Sequence, residues 1–197
     1  MKTLPIYTYG FEILRKKTSK VTKIDDKFIQ LVQNMFYTMR KANGVGLAAP
    51  QIGLDYALTV IDVSSVEGEE DKKPLILINP KIVDSHGTSE IEEGCLSIPT
   101  VRWDVERPEK VYIEFQDLDL NKKNIELDGF MGRVSQHEID HLNGVLFIDH
   151  LEKETKKQLK QQLDLIKKGG IQASYVLAEV KPTKKKTSKK SELLARI

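Results

Sequence analysis

The sequence contains few cysteines, no long apolar run and no secretion signal. Cys95 is the one cysteine in 197 residues, so an internal disulfide is excluded and its thiol is a buried apolar group, a metal ligand or a nucleophile. No run of 18 or more apolar residues occurs, and the first residues lack the apolar stretch of a secretory signal. We therefore expect a cytoplasmic protein with no membrane partner.

Charge is divided unevenly along the chain. Residues 181–197 hold seven of the 31 basic side chains but one of the 29 acidic ones, which leaves 24 basic and 28 acidic side chains in residues 1–180, a net charge of −4. The size of the chain favours one catalytic domain, which we place at residues 1–170. Residues 171–197 are predicted to be an extension that ends in a mobile Lys-rich tail.

The apolar pattern predicts helices near both ends of the chain and strands between them. Helices are expected over residues 26–43, 130–143 and 152–168, the first ended by a left-handed Gly44 and the third by Gly169 and Gly170. Strands are expected near residues 57–63, 75–79 and 111–115. The prediction is an α+β fold, with short antiparallel strands packed around a central His-Glu-x-x-His helix and with an N-terminal and a C-terminal helix.

The strongest chemical signal is QHEIDHL at residues 136–142, within the second predicted helix. His137 and His141 are four residues apart and share one helical face, where two imidazoles can bind one metal ion. Glu138 follows the first histidine, where its carboxylate can accept a proton from water on the metal. The alternative, two surface histidines beside an unrelated acid, requires a chance match in a chain with four histidines.

A catalytic metal needs a third protein ligand and one open position. In one large class of metalloproteases this ligand is a histidine ten residues after the first, but that position here is Phe147. Asp149, His150 and Cys95 remain as candidates from residue chemistry. A Cys95 thiolate would complete a set of one sulfur and two imidazoles, which suits zinc.

Three segments together resemble the peptide deformylases. They are GVGLAAPQ at residues 44–51, EGCLS at residues 93–97 and QHEIDHL at residues 136–142. Their order and spacing are also similar to that family, over about residues 4–151, and Gly94 before Cys95 is typical of its bacterial Gly-Cys-Leu-Ser subclass. The resemblance implies a metallohydrolase that acts on a linear amide, removing the N-formyl group from the N-terminal formylmethionine of nascent polypeptides and releasing formate.

The resemblance also implies roles for the site residues. The implied ligands of one divalent metal are Cys95, His137 and His141. In the family this metal is physiologically Fe²⁺, with Zn²⁺, Ni²⁺ or Co²⁺ able to occupy the site. Glu138 would accept a proton and later pass one to the departing amine, while the Gln51 side-chain amide and the Leu96 backbone N–H would stabilise the oxyanion.

The substrate peptide is expected to bind as an added strand. Its backbone would pair with Val45 and Gly46 on one side of the cleft and with Gly94 on the other. The methionine side chain would enter an apolar pocket formed by Val45, Leu96 and Phe130.

Three charged residues near the motifs have more than one interpretation. By resemblance Arg102 would contact the substrate backbone, and the alternative is a surface ion pair with Asp104 or Glu106. Arg133, one helical turn before His137, is expected at the pocket mouth or in a solvated salt bridge. Asp140 is a candidate acceptor that orients either His137 or a neighbouring loop.

Two other functions compete with this interpretation. One is another His-Glu-x-x-His metal-dependent peptidase or amidase, and the other is a binding protein with a structural metal that docks on RNA through its tail. The partners that we expect are N-formylmethionyl nascent peptides and, through the basic tail, the ribosome, with no role for DNA.

Overall fold

The computed structural model describes residues 1–180, and the Lys-rich tail at residues 181–197 lies outside the described residues. Within residues 1–180 there are three α-helices, Asp26–Lys41 (α1), Gly129–Leu142 (α2) and Lys153–Lys167 (α3). The seven strands of the same region are Gly46–Ala48 (β1), Leu58–Ile61 (β2), Leu75–His86 (β3), Ser89–Cys95 (β4), Ile98–Arg107 (β5), Lys110–Gln116 (β6) and Lys122–Leu127 (β7). None of the helices described is long and apolar enough to cross a membrane.

The strands form two antiparallel sheets. Five strands pair in the order β1-β2-β3-β6-β7, and β4 pairs with β5 in a separate two-stranded sheet. β1 is therefore an edge strand of the larger sheet. The predicted α+β class, with antiparallel sheets and a helix on either side of the central one in sequence, is confirmed.

The strand predicted over residues 75–79 continues to His86 in β3, although it contains Pro80. A proline cannot donate to the ladder of hydrogen bonds, so it is tolerated at a bulge or an edge. The register between β3 and β6 shifts between Ile78 and Lys81, and this irregularity accommodates Pro80.

The ends of helix α1 have local causes. The Asp25 carboxylate accepts a hydrogen bond from the Phe28 N–H at 3.0 Å, so Asp25 is the N-cap. The left-handed residue after the helix is Asn43, with a φ of 55°, and the prediction that Gly44 has this role was wrong. A Cβ at position 44 would lie 2.8 Å from Leu96 Cδ1, so any larger residue there would displace the end of the Leu96 side chain.

Helix α2 lies at the centre of the fold and packs against β1, β2 and β6. Eleven of its 14 residues are buried, so the helix has almost no solvated face. Six of the buried residues are polar or charged: Arg133, Ser135, Gln136, His137, Glu138 and His141. Burying polar groups costs free energy unless they have partners inside the protein. A helix with so many buried polar side chains therefore indicates a functional site.

Helix α3 packs an apolar face against strand β5 of the smaller sheet. Its buried residues Leu159, Leu163 and Ile166 belong to the same apolar cluster as Cys95 and Phe147. The helix ends at Lys167, and Gly169 follows with a φ of 71°, as predicted.

Candidate metal centre

The structure brings Cys95, His137 and His141 together. The two imidazole rings lie one turn apart on α2 with their centroids 5.0 Å from each other, and Cys95 ends β4 beside them. The ligand atoms of the three residues all lie within 4.8 Å of one another, and Cys95 Sγ is 3.2 Å from His141 Nε2. All three side chains are shielded, at 9%, 7% and 0% exposure respectively.

This donor set fits a catalytic metal. One thiolate and two imidazoles are soft and borderline ligands that suit divalent transition metals, and three protein ligands leave a position open. Burial lowers the pKa of His141 well below its ordinary value and favours the neutral imidazole that binds a metal. For His137 the hydrogen bonds with Cys95 and Glu93 outweigh burial and raise the pKa, and a bound cation would displace that proton. Among residues 1–180, no other cluster of potential ligands is brought together in this way.

The other candidates for the third ligand have different partners. His150 Nε2 lies 2.7 Å from an Asp140 carboxylate oxygen, and Asp149 forms an ion pair with Arg15. Phe147, at the position where one class of metalloproteases has a third histidine, stacks on the His137 ring at a centroid distance of 6.1 Å.

The residue that orients His137 is Glu93, whereas Asp140 takes the other role predicted for it and contacts a neighbouring loop at His150. His137 Nδ1 lies 2.9 Å from Glu93 Oε2, which leaves Nε2 of the ring for a metal. Asp140 instead accepts a hydrogen bond from Arg107 Nη1 at 2.6 Å and pairs with His150.

Glu93 is the centre of a buried charge network. It is 5% exposed and accepts hydrogen bonds from Arg107 Nε at 2.6 Å, Arg107 Nη2 at 3.1 Å and Arg133 Nη1 at 3.0 Å. Burial alone would raise the pKa of Glu93, but its hydrogen bonds with His137 and Arg107 hold that pKa far below its ordinary value. The carboxylate is therefore ionised and fixed.

Arg133 and Arg102 differ from their predicted pairings. The prediction of a solvated salt bridge for Arg133 was wrong, because this side chain is 2% exposed. It also donates hydrogen bonds to the carbonyls of Val105 and Ser89. Arg102 is exposed and forms an ion pair, but its partner is Glu92, 3.3 Å away across the β4–β5 pair, and neither of the two acids that we expected.

Glu138 is buried, and one of its carboxylate oxygens has no hydrogen-bond partner among residues 1–180. The side chain is 4% exposed, and the oxygen in question is Oε2. Burial raises the pKa of Glu138 to about 7. The carboxyl group packs on Gly46, where a Cβ would lie 2.8 Å from Glu138 Cγ, so the glycine makes room for the acid.

Gln51 and Leu96 present hydrogen-bond donors near the thiol. Gln51 is 1% exposed and lies in the 3₁₀ turn Ala49–Ile52. The Ala48 N–H donates to Gln51 Oε1 at 2.7 Å, and this bond turns Nε2 towards Cys95 Sγ, 3.5 Å away. Leu96 lies in the turn between β4 and β5, and its N–H has no backbone acceptor among residues 1–180.

A cleft of about 910 Å³ connects these groups. Its lining contains Gln51, Cys95, Leu96, His137 and Glu138, together with each residue predicted to bind substrate: Val45, Gly46, Gly94, Arg102 and Phe130. Gly46 belongs to the edge strand β1 and Gly94 to β4, so strands of two different sheets border the same cleft. The lining also contains residues 172–175, which we did not predict as part of the site.

The comparisons with known proteins agree with this geometry. A family model described as Polypeptide deformylase matches residues 3–157. A peptide deformylase of Chlorobium luteolum is 42% identical over 175 residues, which cover 89% of this chain and 92% of that protein. A solved peptide deformylase from Thermus thermophilus superposes with a TM-score of 0.79 at 37% identity and covers 85% of this chain and 99% of that one. For one from Legionella pneumophila the TM-score is 0.77, the identity 39% and the coverage 86% and 98%.

Proposed function

Since the chain belongs to the peptide deformylase family, which hydrolyses the N-formyl group of nascent polypeptides, we propose how its own residues carry out this reaction. The observation that carries the proposal is the convergence of Cys95, His137 and His141, whose ligand atoms lie within 4.8 Å of one another, beside Glu138, whose buried Oε2 has no hydrogen bond among residues 1–180. The competing peptidase or amidase function is disfavoured, because relatives that match about nine-tenths of the chain are peptide deformylases.

Cys95, His137 and His141 would hold one divalent cation, and we propose Fe²⁺ as the physiological ion with Zn²⁺, Ni²⁺ or Co²⁺ as replacements. When bound, such a cation supplies a Lewis acid that polarises the formyl carbonyl and acidifies water. Glu93 keeps the His137 ring in the orientation that binding requires, through the 2.9 Å contact with Nδ1.

Glu138 is the proposed proton acceptor and donor. Its buried carboxyl lines the cleft beside His137, where it can take a proton from the attacking water and then pass it to the departing amine. The Gln51 side-chain amide and the Leu96 N–H would donate to the oxyanion that forms at the formyl carbon. Both donors are held in place before substrate arrives, which is the condition for such stabilisation.

The substrate would enter as an extended strand between β1 and β4. Its backbone would pair with Val45 and Gly46 on one side and with Gly94 on the other, and backbone pairing suits an enzyme that meets many different sequences. Arg102, exposed at the rim, would contact the substrate backbone. The methionine side chain would occupy the apolar part of the cleft at Val45, Leu96 and Phe130.

Formate release by protein purified without oxygen, with metal analysis of the same sample, tests the proposal. A formyl-Met-Ala-Ser peptide should release formate, whereas a peptide without a formyl group should not be cleaved internally. If the ion is Fe²⁺, air or peroxide should inactivate the enzyme and replacement with nickel should protect it. Metal without turnover would favour the structural-metal alternative.

The substitution Cys95→Ser should release the metal, because a serine hydroxyl is a poor substitute for a thiolate ligand. Metal content per chain after dialysis against a weak chelator is the measurement, and formate release should fall with it. A variant that keeps full metal occupancy and unchanged activity would show that Cys95 is not a ligand.

The basic tail at residues 181–197 is proposed to tether the enzyme, in the cytoplasm, to the ribosome, where formylated chains emerge. This proposal is supported by the charge distribution. The tail has six more basic than acidic side chains, whereas residues 1–180 have a net charge of −4. Contacts between lysines and RNA phosphates release counterions, so their affinity falls steeply with salt.

Deletion of residues 181–197 should leave turnover of a short formyl peptide unchanged and weaken ribosome binding. Cosedimentation with ribosomes at low and high salt is the measurement. A chain whose tail is replaced by Gly and Ser of equal length separates the effect of charge from that of length. Equal binding by all three chains would reject the tether.

A further inference from the structure

Residues 172–175 form part of the cleft wall, although they follow the last helix and lie outside the three motifs. Among the described residues, Tyr175 makes the one side-chain hydrogen bond between residues 172–175 and the turn that follows Cys95. Its O–H donates to the Leu96 carbonyl at 2.8 Å. The ring is half-buried, while its neighbours Ser174 and Val176 are exposed.

The backbone around Tyr175 is anchored to the N-terminal segment. The Ile6 N–H donates to the Val176 carbonyl at 2.9 Å, and the Ala178 N–H donates to the Ile6 carbonyl at 2.9 Å. Ile6 is fully buried and forms a parallel bridge with Leu177. Because its neighbour Val176 is held in this way, Tyr175 presents its hydroxyl from a defined position.

The N-terminal segment also holds the two turns that carry the donors. The Tyr7 N–H donates to the Gln51 carbonyl at 2.7 Å, and the Tyr9 N–H donates to the Ser97 carbonyl at 2.7 Å. The turn of Leu96 and Ser97 thus has both of its carbonyls bonded, one to Tyr9 and one to Tyr175. The Leu96 N–H, which has no backbone acceptor in residues 1–180, stays free for a ligand.

We propose that Tyr175 is a positioning residue for deformylation, an inference that rests on the function proposed above. Its hydroxyl holds the Leu96 carbonyl, and this restrains the rotation of the turn that aims the Leu96 N–H at the oxyanion. The rate of hydrolysis depends steeply on the position of such a donor. The donor has to form its hydrogen bond with the negative charge that develops on the oxygen in the transition state. Tyr175 acts through Leu96 and needs no contact with the reacting atoms.

Tyr175→Phe removes the hydroxyl and keeps the ring. We expect kcat to fall about ten- to a hundredfold, with KM changed by less than about twofold, because donor placement affects the transition state more than the bound substrate. Metal content should stay that of the wild type, and the melting temperature should fall by only about 2–4 °C, because one hydrogen bond is lost. The matched control is Tyr56→Phe, which removes the hydroxyl of a tyrosine that is 41% exposed and outside the cleft lining.

The outcomes separate this inference from the proposed function. A wild-type chain that releases no formate would contradict the proposed function itself. An active wild type and Tyr56→Phe variant, with an unchanged kcat for Tyr175→Phe, would contradict the positioning role alone. A Tyr175→Phe variant that raises KM at constant kcat, or that loses metal, would also overturn it, because Tyr175 would then act on substrate or on the metal.

Discussion

Replacing Glu138 with glutamine should lower kcat by roughly a hundred- to ten-thousandfold while the metal stays bound. Glutamine has nearly the shape of glutamate, so the contact with Gly46 is kept and only the ability to accept a proton is lost. The three ligand side chains are untouched. Formate release and metal content per chain, measured on the same preparation, are the readouts.

No other acid in the described cleft can replace Glu138. Glu93 also lines the cleft, but both of its oxygens accept hydrogen bonds from Arg107. The remaining glutamate of the lining is Glu92, whose exposed carboxylate pairs with Arg102. The loss should therefore be similar for Glu138→Gln and Glu138→Ala.

The control for this prediction is Glu114→Gln, which changes an exposed glutamate on β6 outside the cleft lining. Its activity should equal that of the wild type. A Glu138→Gln enzyme that retains activity within tenfold of the wild type would reject Glu138 as the proton acceptor.

The metal cluster was predictable because most of its geometry is local. His137 and His141 are one helical turn apart, so any helix over these residues places both imidazoles on one face. Cys95 is different, since no periodicity connects residue 95 with residue 137. Residue chemistry left Asp149 and His150 open, and resemblance supplied Cys95 as the third ligand.

Glu93 was missed, although it lies two residues before Cys95 within the EGCLS segment. Both residues are buried on β4, but the register with β5 shifts between Gly94 and Cys95, so strand alternation alone does not place them on one face. Asp140 was chosen instead for its closeness to His137 in sequence. In the structure the partner of Asp140 is Arg107, which arrives from β5, and such a pairing between distant elements has no sequence pattern.

Gly44 and Tyr175 show two other limits of sequence patterns. A glycine after a helix suggested a left-handed residue, but Asn43 takes that conformation, and Gly44 instead lies against the Leu96 side chain, 52 residues away. Tyr175 follows a Gly-Gly stop, in a segment whose predicted role was an extension. Its contact with Leu96 depends on how the two ends of the described chain pair with each other, which short-range propensities do not encode.

Replacing Glu93 with alanine should lower the free energy of unfolding by about 3–5 kcal/mol, because it leaves the positive charges of Arg107 and Arg133 buried without their shared partner. It should also weaken metal binding by about 10- to 100-fold, since His137 loses the group that orients its ring. Chemical denaturation of the metal-free protein gives the first quantity, and metal titration gives the second.

Glu92→Ala is the matched control for stability, because it removes the preceding carboxylate of the same strand. Glu92 pairs with Arg102 on the surface, and an exposed pair of this kind contributes about 1 kcal/mol or less. If Glu93→Ala is no more destabilising than Glu92→Ala, then the buried network does not stabilise the fold.

Glu93→Gln separates the two roles of the carboxylate. A glutamine oxygen can still accept from His137 Nδ1, so the ring keeps its orientation, but the negative charge between Arg107 and Arg133 is lost. We therefore expect Glu93→Gln to lose most of the stability that Glu93→Ala loses and to bind metal more tightly than Glu93→Ala does. A metal that binds only the folded chain adds stability in proportion to the logarithm of its affinity. The difference in the free energy of unfolding between the metal-loaded and the metal-free protein therefore measures metal affinity independently. Equal metal affinity in the glutamine and alanine variants would mean that the charge of Glu93, and not its hydrogen bond to His137, prepares the site.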